Sequence, residues 1–497
     1  MELNTILPIS IDYMNSRPLD VHKWSDYSEV NEFVNEIYLL LTSIKGHERV
    51  SKKLLKVLLL DLYVAWCADP LLKLIFSRNN NSYVSKSRYN ELHIGKAIIG
   101  IVDTLVNHEI IHQKDGFNDR VTGVSFQSRI WASELLVSKF KEVRFNQFQI
   151  GSDNDREPVV LRDKKKEPVE YKDTRKTIRM RSVLKKYNQL ISNTHIDISD
   201  LEIPTLEIGS GKKKQVLQIN QQDKFVRRIF NNSRWDQGGR FYGGWWQRCP
   251  KEYRERILMD GISTAEIDFS GLHIVILYAQ EGINYWLDVN DDPYKLRHLK
   301  NIDSKIDLRA AAKLLLLTAI NADDESKAFQ AFRYQAEKGS LEKKMSNEAL
   351  SSILSALRQK HKPIAHKLAS GAGIDLMYID SQITEELIKK FTFMGVPILT
   401  VHDSYLVPFG YDRILHREMQ SAFEVVTDIS YPLVSHTTEY YNIIEQEPDP
   451  HEQSQKAIFI KEQERVSKRH KKDLSLFKEF KDKPDRESWV ADWTMIY

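Results

Sequence analysis

Residues 400–405, the stretch that decides the fold of this chain, read Thr400-Val401-His402-Asp403-Ser404-Tyr405. Apolar runs lie on both sides of the polar His-Asp-Ser triplet. A short polar interruption between two apolar runs is typical of a β-hairpin with the polar residues at its tip. The pattern therefore predicts a hairpin that presents the Asp403 carboxylate at its turn.

A second predicted strand lies upstream and delivers a matching carboxylate. Residues 264–279 read Thr-Ala-Glu-Ile-Asp-Phe-Ser-Gly-Leu-His-Ile-Val-Ile-Leu-Tyr-Ala, which predicts a strand ending at Asp268 and then an apolar helix. If the two strands are adjacent, Asp268 and Asp403 come together. Two such carboxylates repel each other unless cations lie between them, and hard oxygen ligands suit Mg²⁺. We therefore expect two Mg²⁺ ions here, with Mn²⁺ as a substitute, activating a 3′-hydroxyl and stabilising a leaving pyrophosphate.

A cationic helix is predicted between the two aspartates. Arg309 and Lys313 are four residues apart in the amphipathic segment 307–320, so they project from one face of a helix. Such a pair can clamp a polyphosphate, or it can simply be an exposed cationic pair. The neighbouring Ala/Leu-rich stripe favours a helix packed on one side, with its cations facing a cleft.

Composition leaves the class of partner open. The chain has 497 residues, enough for two to four domains, and its 41% apolar content is typical of a globular protein. The 72 Lys and Arg nearly balance the 69 Asp and Glu, so the net charge of +3 argues neither for nor against nucleic acid. Two cysteines, Cys67 and Cys249, lack metal-ligand spacing and predict a reducing, cytoplasmic setting without disulfides.

No membrane partner is expected. The most apolar segment, 54–76, is interrupted by Lys56, Asp61 and Asp69, which predicts a buried helix. The N-terminus lacks the basic-then-apolar pattern of a signal peptide.

Four domains are predicted along the chain. They are a helical N-terminal domain (1–150), a charged linker with a basic helix and a hairpin (151–224), a catalytic domain (225–447), and a charged C-terminal tail or helix (448–497). In the first domain, a helix at 94–108, a hairpin at 109–123 turning at Asp115-Gly116 and a helix at 128–140 resemble a winged-helix module. Such modules often bind duplex DNA, and many only support a neighbouring domain, so both roles stay open.

The order of motifs in the catalytic domain resembles that of single-subunit RNA polymerases of the bacteriophage and mitochondrial type, relatives of the family A DNA polymerases. The motifs are Asp236-Gln-Gly-Gly-Arg240, Asp268-Phe-Ser-Gly-Leu-His273, Arg309-Ala-Ala-Ala-Lys313 and His402-Asp403-Ser404. The resemblance implies an α+β, helix-rich fold with a right-hand polymerase core of palm and fingers. It also implies that 151–224 is thumb-like or contacts the template.

The resemblance also implies roles for individual residues. Asp268 and Asp403 would bind the metals, with the Phe269 backbone carbonyl as a further ligand, and Arg309 and Lys313 would bind the triphosphate. The other implied contacts are template and nascent product at Asp236 and Arg240, the growing 3′-end at His402, and the minor groove or sugars at Asp380 and Gln382. For Asp380-Ser381, the cap of the helix that follows is an equally good interpretation.

Departures from the pattern bear on the choice of sugar. His273 stands where the DNA enzymes carry a glutamate that excludes the ribose 2′-hydroxyl, and Ser404 follows the RNA polymerases. Both substitutions favour ribonucleotides. Asn321 and Ala322 replace the tyrosine and glycine usual in the fingers helix, which leaves sugar discrimination open. The compact spacing leaves little room for loops that recognise promoters.

One aromatic cluster and one pattern that resembles a metal site each have two interpretations. The cluster Phe241, Tyr242, Trp245 and Trp246 can stack on bases, but core packing is favoured. His108-Glu109-Ile110-Ile111-His112, with Glu134 as a third ligand, matches a zinc peptidase pattern. The β-branched pair and the following turn favour a strand, which would remove the helix-borne geometry of such an enzyme.

The sequence thus predicts a nucleic-acid-templated nucleotidyltransferase that uses a DNA template, nucleoside triphosphates and an RNA or DNA product. DNA-directed RNA synthesis is the first expectation. The alternatives are a DNA polymerase or primase-polymerase of a phage, plasmid or defence element, and a non-catalytic nucleic-acid-binding protein.

Overall fold

A computed structural model describes residues 15–43, 50–119, 123–209, 215–299, 301–430 and 466–482. About 47% of the described residues are helical and 16% lie in strands. All but two of the strand pairings are antiparallel. Helices and antiparallel sheet together confirm the predicted α+β class.

Two separate hydrophobic cores organise these elements. The first is built from buried side chains between Val30 and Ile150, and the second from side chains between Val159 and Phe423. Around the first core lie four helices: α1 (Ser28–Thr42), α2 (Lys52–Ala68), α3 (Ala97–Asn107) and α4 (Glu134–Glu142). Its strands are β1 (Ser16–Pro18), β2 (Lys23–Trp24), β3 (Lys73–Phe76), β4 (Ile111–Lys114), β5 (Phe117–Asp119), β6 (Val124–Phe126), β7 (Ser128–Ala132) and β8 (Gly151–Ser152).

The apolar segment 54–76 is a buried helix, as predicted, only as far as Ala68, and its end, Lys73–Phe76, is strand β3 instead. Helix α2 lies in the middle of the first core, where every residue from Leu54 to Ala65 is buried. Its Asp61 is neutralised by a two-pronged ion pair with Arg17, and the chain leaves the helix at Ala68. None of the helices in the described part of the chain is long and apolar enough to cross a membrane.

The predicted helix–hairpin–helix unit has a longer hairpin than expected. Helix α3 is present, but β4 pairs with β7, and β5 and β6 extend the same hairpin outward. The chain therefore does not turn back at Asp115-Gly116, and 128–132 is a strand. The helix begins only at Glu134, where the Ser133 hydroxyl accepts the Leu136 amide as an N-cap.

A five-stranded antiparallel sheet stands at the centre of the second core, in the order β10-β15-β16-β18-β17. Its strands are β10 (Ile196–Ile198), β15 (Ile257–Met259), β16 (Ile262–Asp268), β17 (Leu399–Val401) and β18 (Ser404–Pro408). The helices of this core are α5 (Arg175–Ser192), α6 (Lys251–Arg254), α7 (Leu272–Gln280), α8 (Leu308–Asn321), α9 (Glu325–Gln335), α10 (Asn347–Lys360), α11 (Gly373–Phe393) and α12 (Asp412–Thr427).

The segment set apart in the sequence as linker, basic helix and hairpin contributes to this second core. Strands β9 (Val159–Leu161), β13 (Arg227–Phe230) and β14 (Gly238–Tyr242) form a three-stranded sheet in the order β14-β13-β9. Helix α5 buries Met180, Leu184, Tyr187 and Ile191 in the core. The hairpin predicted at 206–219 is confirmed as β11 (Thr205–Ile208) and β12 (Gln215–Gln218), and its tip, 210–214, lies outside the described residues.

A last helix, α13 (Lys468–Lys481), lies against both cores. Its Phe477 ring packs 5.0 Å from that of Phe148, and its Asp473 accepts a hydrogen bond from Gln147. On the other side, Asp473 lies 2.9 Å from the buried His195 ring. The basic run Lys468–Lys472 is thus part of a docked helix, while 448–465 and 483–497 lie outside the described residues.

Candidate active site

The central sheet brings Asp268 and Asp403 side by side. Strand β16 ends at Asp268, which is directly opposite Ser404 in the antiparallel pair with β18. The Phe269 amide donates to the Asp403 carbonyl at 3.2 Å, which fixes the two chain segments together. The predicted hairpin is confirmed: β17 and β18 pair, with His402 and Asp403 in the two-residue turn. His402 takes the left-handed conformation that such a tight turn requires (φ 59°).

The two carboxylates share an unfavourable electrostatic environment. Desolvation, followed by the charges of Asp403 and Glu266, raises the pKa of Asp268 to about 7. Lys313 and Lys251 act in the opposite direction and do not compensate. Asp268 is exposed on the open side of a cleft, but the cleft walls still remove enough water for burial to be the largest cause. Bound cations would relieve this repulsion.

A cleft of about 540 Å³ adjoins the two aspartates. It is lined by Gln247, Lys251, Arg254, Glu255, Thr264, Glu266, Asp268, Val401, His402, Asp403 and Ser404. Two charged residues that line this cleft, Glu266 and Arg254, were not predicted from the sequence. Glu266 forms an ion pair with Arg254 at 2.9 Å and accepts a hydrogen bond from the Ser404 hydroxyl. The signal was present, because residues two apart on a strand share a face and Glu266 precedes Asp268 by two.

The donor set suits magnesium bound together with a substrate. Asp268 and Asp403 are hard carboxylate donors, and Phe269, which follows Asp268 directly, supplies a backbone carbonyl. The described residues contain no group of three or more His, Cys, Asp or Glu arranged to hold a metal. Mg²⁺ typically uses one or two carboxylates plus substrate phosphates and water, so a two-carboxylate set fits it.

The cationic helix predicted from the sequence faces this site. Asp307 caps α8 by accepting the amides of Arg309 and Ala310. One turn apart, Arg309 and Lys313 lie 5.7 Å and 5.5 Å from the centre of the Tyr294 ring. Lys313 lies close enough to Asp268 to lower its pKa, whereas Arg309 is paired with Asp292 at 2.6 Å. Tyr294 was not foreseen, because nothing in its local sequence links it to a helix beginning at Leu308.

Arg240 and His273 meet at a third residue, Asp380. The Arg240 Nε donates to Asp380 at 2.9 Å, and the two also form a close ion pair through Nη2. Nε2 of His273 lies 3.0 Å from the guanidinium and 3.1 Å from the Asp380 carboxylate, so it accepts from one or donates to the other. Asp380 is buried in the middle of α11. The alternative that it caps the start of this helix is therefore wrong.

The remaining predicted site residues are distributed around this centre. Asp236 lies in an exposed turn and pairs with Arg234 at 2.7 Å, whereas Arg240 pairs with Asp380. Asn321 ends α8, and its side-chain amide donates to the Leu317 carbonyl. Gln382 is half-buried on α11.

The aromatic cluster is mainly core, as favoured by the sequence. Trp245 and Trp246 are completely buried and Phe241 nearly so. Tyr242 is half-buried, and its ring centre lies 6.3 Å from that of His402. Tyr242 therefore adjoins the turn of the β17–β18 hairpin, while the buried Trp246 indole donates to the Thr400 carbonyl of β17 at 3.3 Å.

The zinc peptidase pattern does not have a helical geometry. His108 follows the end of α3, Glu109 has a left-handed backbone (φ 56°), and His112 lies on β4. The His112 ring instead contacts Glu134 at 3.2 Å. This confirms the predicted strand and leaves the two histidines on different elements.

No protein-family model matches this chain, and no curated protein sequence matches it.

Proposed function

We propose that this chain is a nucleic-acid-templated nucleotidyltransferase with a right-hand polymerase core, and that it carries out DNA-directed RNA synthesis. The observation that carries the proposal is the pair Asp268 and Asp403 at adjacent strand ends, with Lys313 of a capped helix facing them. Two carboxylates held close enough to repel each other mark a site that can bind metal ions. Cations beside them can stabilise the charge of a triphosphate substrate. The partners would be a DNA template, nucleoside triphosphates and an RNA product, in the cytoplasm.

Asp268, Asp403 and the Phe269 carbonyl would hold two Mg²⁺ or Mn²⁺ ions. Bound there, the ions would supply activation of a 3′-hydroxyl and stabilisation of the leaving pyrophosphate. Lys313 and Arg309 would bind the triphosphate, and the Tyr294 ring, which both cations contact, would help to hold them in place. In the reaction, the 3′-hydroxyl gives its proton to water and its oxygen bonds to the α-phosphorus, while the bond between the α-phosphorus and the oxygen bridging to the β-phosphate breaks and pyrophosphate leaves with that electron pair.

Ribonucleotides are preferred in this proposal because of the residues around the sugar position. His273 takes the place of a carboxylate gate, and its ring is held by Arg240 and Asp380. A hydrogen-bonding imidazole ring can accommodate a 2′-hydroxyl that a glutamate would exclude. A DNA polymerase or primase-polymerase remains the alternative, since Asn321 replaces the usual tyrosine of the fingers helix.

The test is primer extension by the purified protein and its Asp403→Asn variant. Templates are DNA or RNA, primed and unprimed, with ribo- or deoxyribonucleotides and Mg²⁺. We expect ribonucleotide products on DNA that fall by at least about a thousandfold in the variant, since removing one carboxylate removes a metal ligand. The matched control is Asp103→Asn, which changes a partly exposed aspartate on α3 that pairs with Arg78, and it should retain activity.

The nucleotide used decides between the alternatives. Deoxyribonucleotide products lost in Asp403→Asn would establish the DNA polymerase alternative. Full synthesis by a correctly folded Asp403→Asn protein would refute the proposed site. Absence of product under all conditions would favour a non-catalytic nucleic-acid-binding protein.

A further inference from the structure

The outer face of the three-stranded sheet begins beside the catalytic hairpin. Arg227 of β13 is directly opposite Tyr242 of β14, so the two side chains lie on the same face of the sheet. The Tyr242 ring is also in edge contact with His402. This face is therefore continuous with the Asp268–Asp403 site.

Two further guanidinium groups lie close to Arg227. Arg162 follows β9 directly and is held by its amide, which donates to the Phe230 carbonyl at 2.9 Å. Arg156 stacks on the Phe225 ring at 4.1 Å and donates to the Ser152 hydroxyl. Desolvation and the charges of Arg156 and Arg162 lower the pKa of Arg227, which places these cations within electrostatic range of one another.

Two of these arginines are not directly paired with another side chain in the described part of the chain. Within the described residues, the side chains of Arg162 and Arg227 form no hydrogen bond or ion pair, and the Arg162 Nε is buried without a partner. By contrast, Arg228 on the opposite face of β13 pairs with Glu385 at 2.6 Å. The fold thus pairs the inward-facing arginine and leaves the outward-facing ones available.

The two carboxylates that act on Arg227 are already paired with other cations. Asp20 and Asp223 favour the charged form of Arg227, but Asp20 forms an ion pair with Lys23 at 3.1 Å and Asp223 pairs with Arg248. Clustered cations without matching anions are unfavourable in isolation. Such a cluster is stabilised by a polyanion that brings several phosphates at once.

A run of three lysines extends the same surface. Lys164, Lys165 and Lys166 follow Arg162 in an exposed turn. The Asp163 carboxylate holds this turn by accepting the amides of Lys165 and Glu167 at 2.8 Å and 3.0 Å. The carboxylate is thereby used inside the turn, and the three lysines remain exposed.

We propose that Arg162, Arg227 and Tyr242 form a binding surface for single-stranded nucleic acid, with the Lys164–Lys166 turn as its outer end. The guanidinium groups would bind backbone phosphates, and the half-buried Tyr242 ring would stack on an unpaired base beside the catalytic hairpin. A stacking platform needs an unpaired base, which favours a single strand over a duplex. This inference names the strand held by the proposed polymerase site and rests on that proposed function.

The test measures binding without catalysis. Fluorescence anisotropy of a labelled 12-nucleotide single-stranded DNA would be recorded over a salt series, with EDTA and without nucleotides. We compare the wild-type protein with the double variant Arg162→Ala/Arg227→Ala. The slope of log K against log salt is negative, and loss of two phosphate contacts should reduce its magnitude by about 1.4. Binding at low salt should weaken by about tenfold or more.

Control variants separate charge, stacking and folding. The double variant Arg162→Lys/Arg227→Lys keeps the charges and should keep the slope. Arg78→Ala/Arg417→Ala removes two arginines that are paired elsewhere and should bind as wild type does. Tyr242→Ala should weaken binding by about tenfold at every salt concentration without changing the slope.

The outcomes distinguish this surface from the proposed reaction. An unchanged slope in Arg162→Ala/Arg227→Ala, or no binding by the wild-type protein, overturns the surface even if nucleotides are incorporated. A slope that depends on the two arginines supports the surface even if no synthesis is found, in which case it is the proposed reaction that fails.

Discussion

The raised pKa of Asp268 makes this carboxylate unfavourable for the metal-free protein near neutral pH. Between about pH 4 and about pH 7, the folded chain binds more protons at this residue than the unfolded chain does. The free energy of unfolding should therefore fall as pH rises through this window and level off above it. Asp268→Asn removes the charge and should stabilise the protein at pH 8 by about 1 kcal/mol, a value reduced for the exposure of the side chain. Urea denaturation in EDTA at pH 5 and pH 8 measures both effects.

Magnesium should offset the loss of stability that the wild-type protein shows at high pH. We expect Mg²⁺ to stabilise the wild-type protein more at pH 8 than at pH 6, because the ligand must be deprotonated to bind. Asp268→Asn should respond weakly at both pH values, and Asp103→Asn should respond as the wild type does. Equal responses of the wild type and Asp268→Asn to Mg²⁺ would contradict a metal site at this carboxylate.

The two ion pairs of the Asp236–Arg240 motif provide a second comparison between single residues. Asp380→Asn leaves the half-buried Arg240 without its counter-charge, so we expect a loss of about 3 kcal/mol in the free energy of unfolding. Asp236→Asn breaks an exposed pair with Arg234 and should leave stability unchanged within error. Urea denaturation of both variants measures the contrast. Equal stability of the two variants would show that Asp380 is not needed to hold Arg240.

At the scale of elements, local pattern predicted what depends on short stretches of chain. The β16 strand and the β17–β18 hairpin follow from apolar runs that end in polar turns, and both are confirmed. The strand Ser128–Ala132 was predicted as a helix, because its pairing with β3 and β4 depends on distant residues. Similarly, the Arg240–Asp380 contact joins segments 140 residues apart, which no local pattern indicates.

The sequence predicts a helix that begins after Asp380, whereas α11 already begins at Gly373. Gly373 lies inside the helix. A Cβ at this position would approach the Asn321 side-chain oxygen to 2.0 Å, so the absence of a side chain makes room for Asn321. Its role is close packing of α11 against the end of α8. Gly373→Ala should therefore destabilise the protein by about 1–3 kcal/mol through this overlap. Gly100→Ala in α3 meets nothing within 4 Å and should be neutral or stabilising by about 1 kcal/mol, because alanine favours helices. Thermal denaturation of the two variants checks the contrast, and a stabilised Gly373→Ala would show that α8 and α11 do not need this close approach.

At the scale of the whole molecule, α13 ties the C-terminal end of the chain to both cores. Its aromatic side chains form a small separate cluster with Phe148 beside the first core, and its polar side chains reach the edge strand β10 of the second. The polar contact centres on the buried Asp197, which lies 2.5 Å from the His470 ring and 3.0 Å from Arg469. Asp197 thus joins two side chains of α13 to the second core, beside the contacts that Asp473 makes with Gln147 and His195.

The charge of Asp197 should govern how firmly α13 is held. Burial opposes this charge, but hydrogen bonding from His470 and the charge of Arg469 outweigh it and lower the pKa of Asp197 below its usual value. The stabilisation is thus present at neutral pH and is lost only as pH falls through the lowered pKa. Asp197→Asn removes it at all pH values, because Arg469 loses its counter-charge and His470 loses the carboxylate that it contacts. We expect amide hydrogen exchange in 468–481 to become about a hundredfold faster at pH 7, as for a broken buried ion pair of about 3 kcal/mol. Lys481→Ala, which breaks the more exposed pair with Asp260, should change exchange only slightly. If exchange in Asp197→Asn matched that of Lys481→Ala, the aromatic contacts with Phe148 alone would hold the helix.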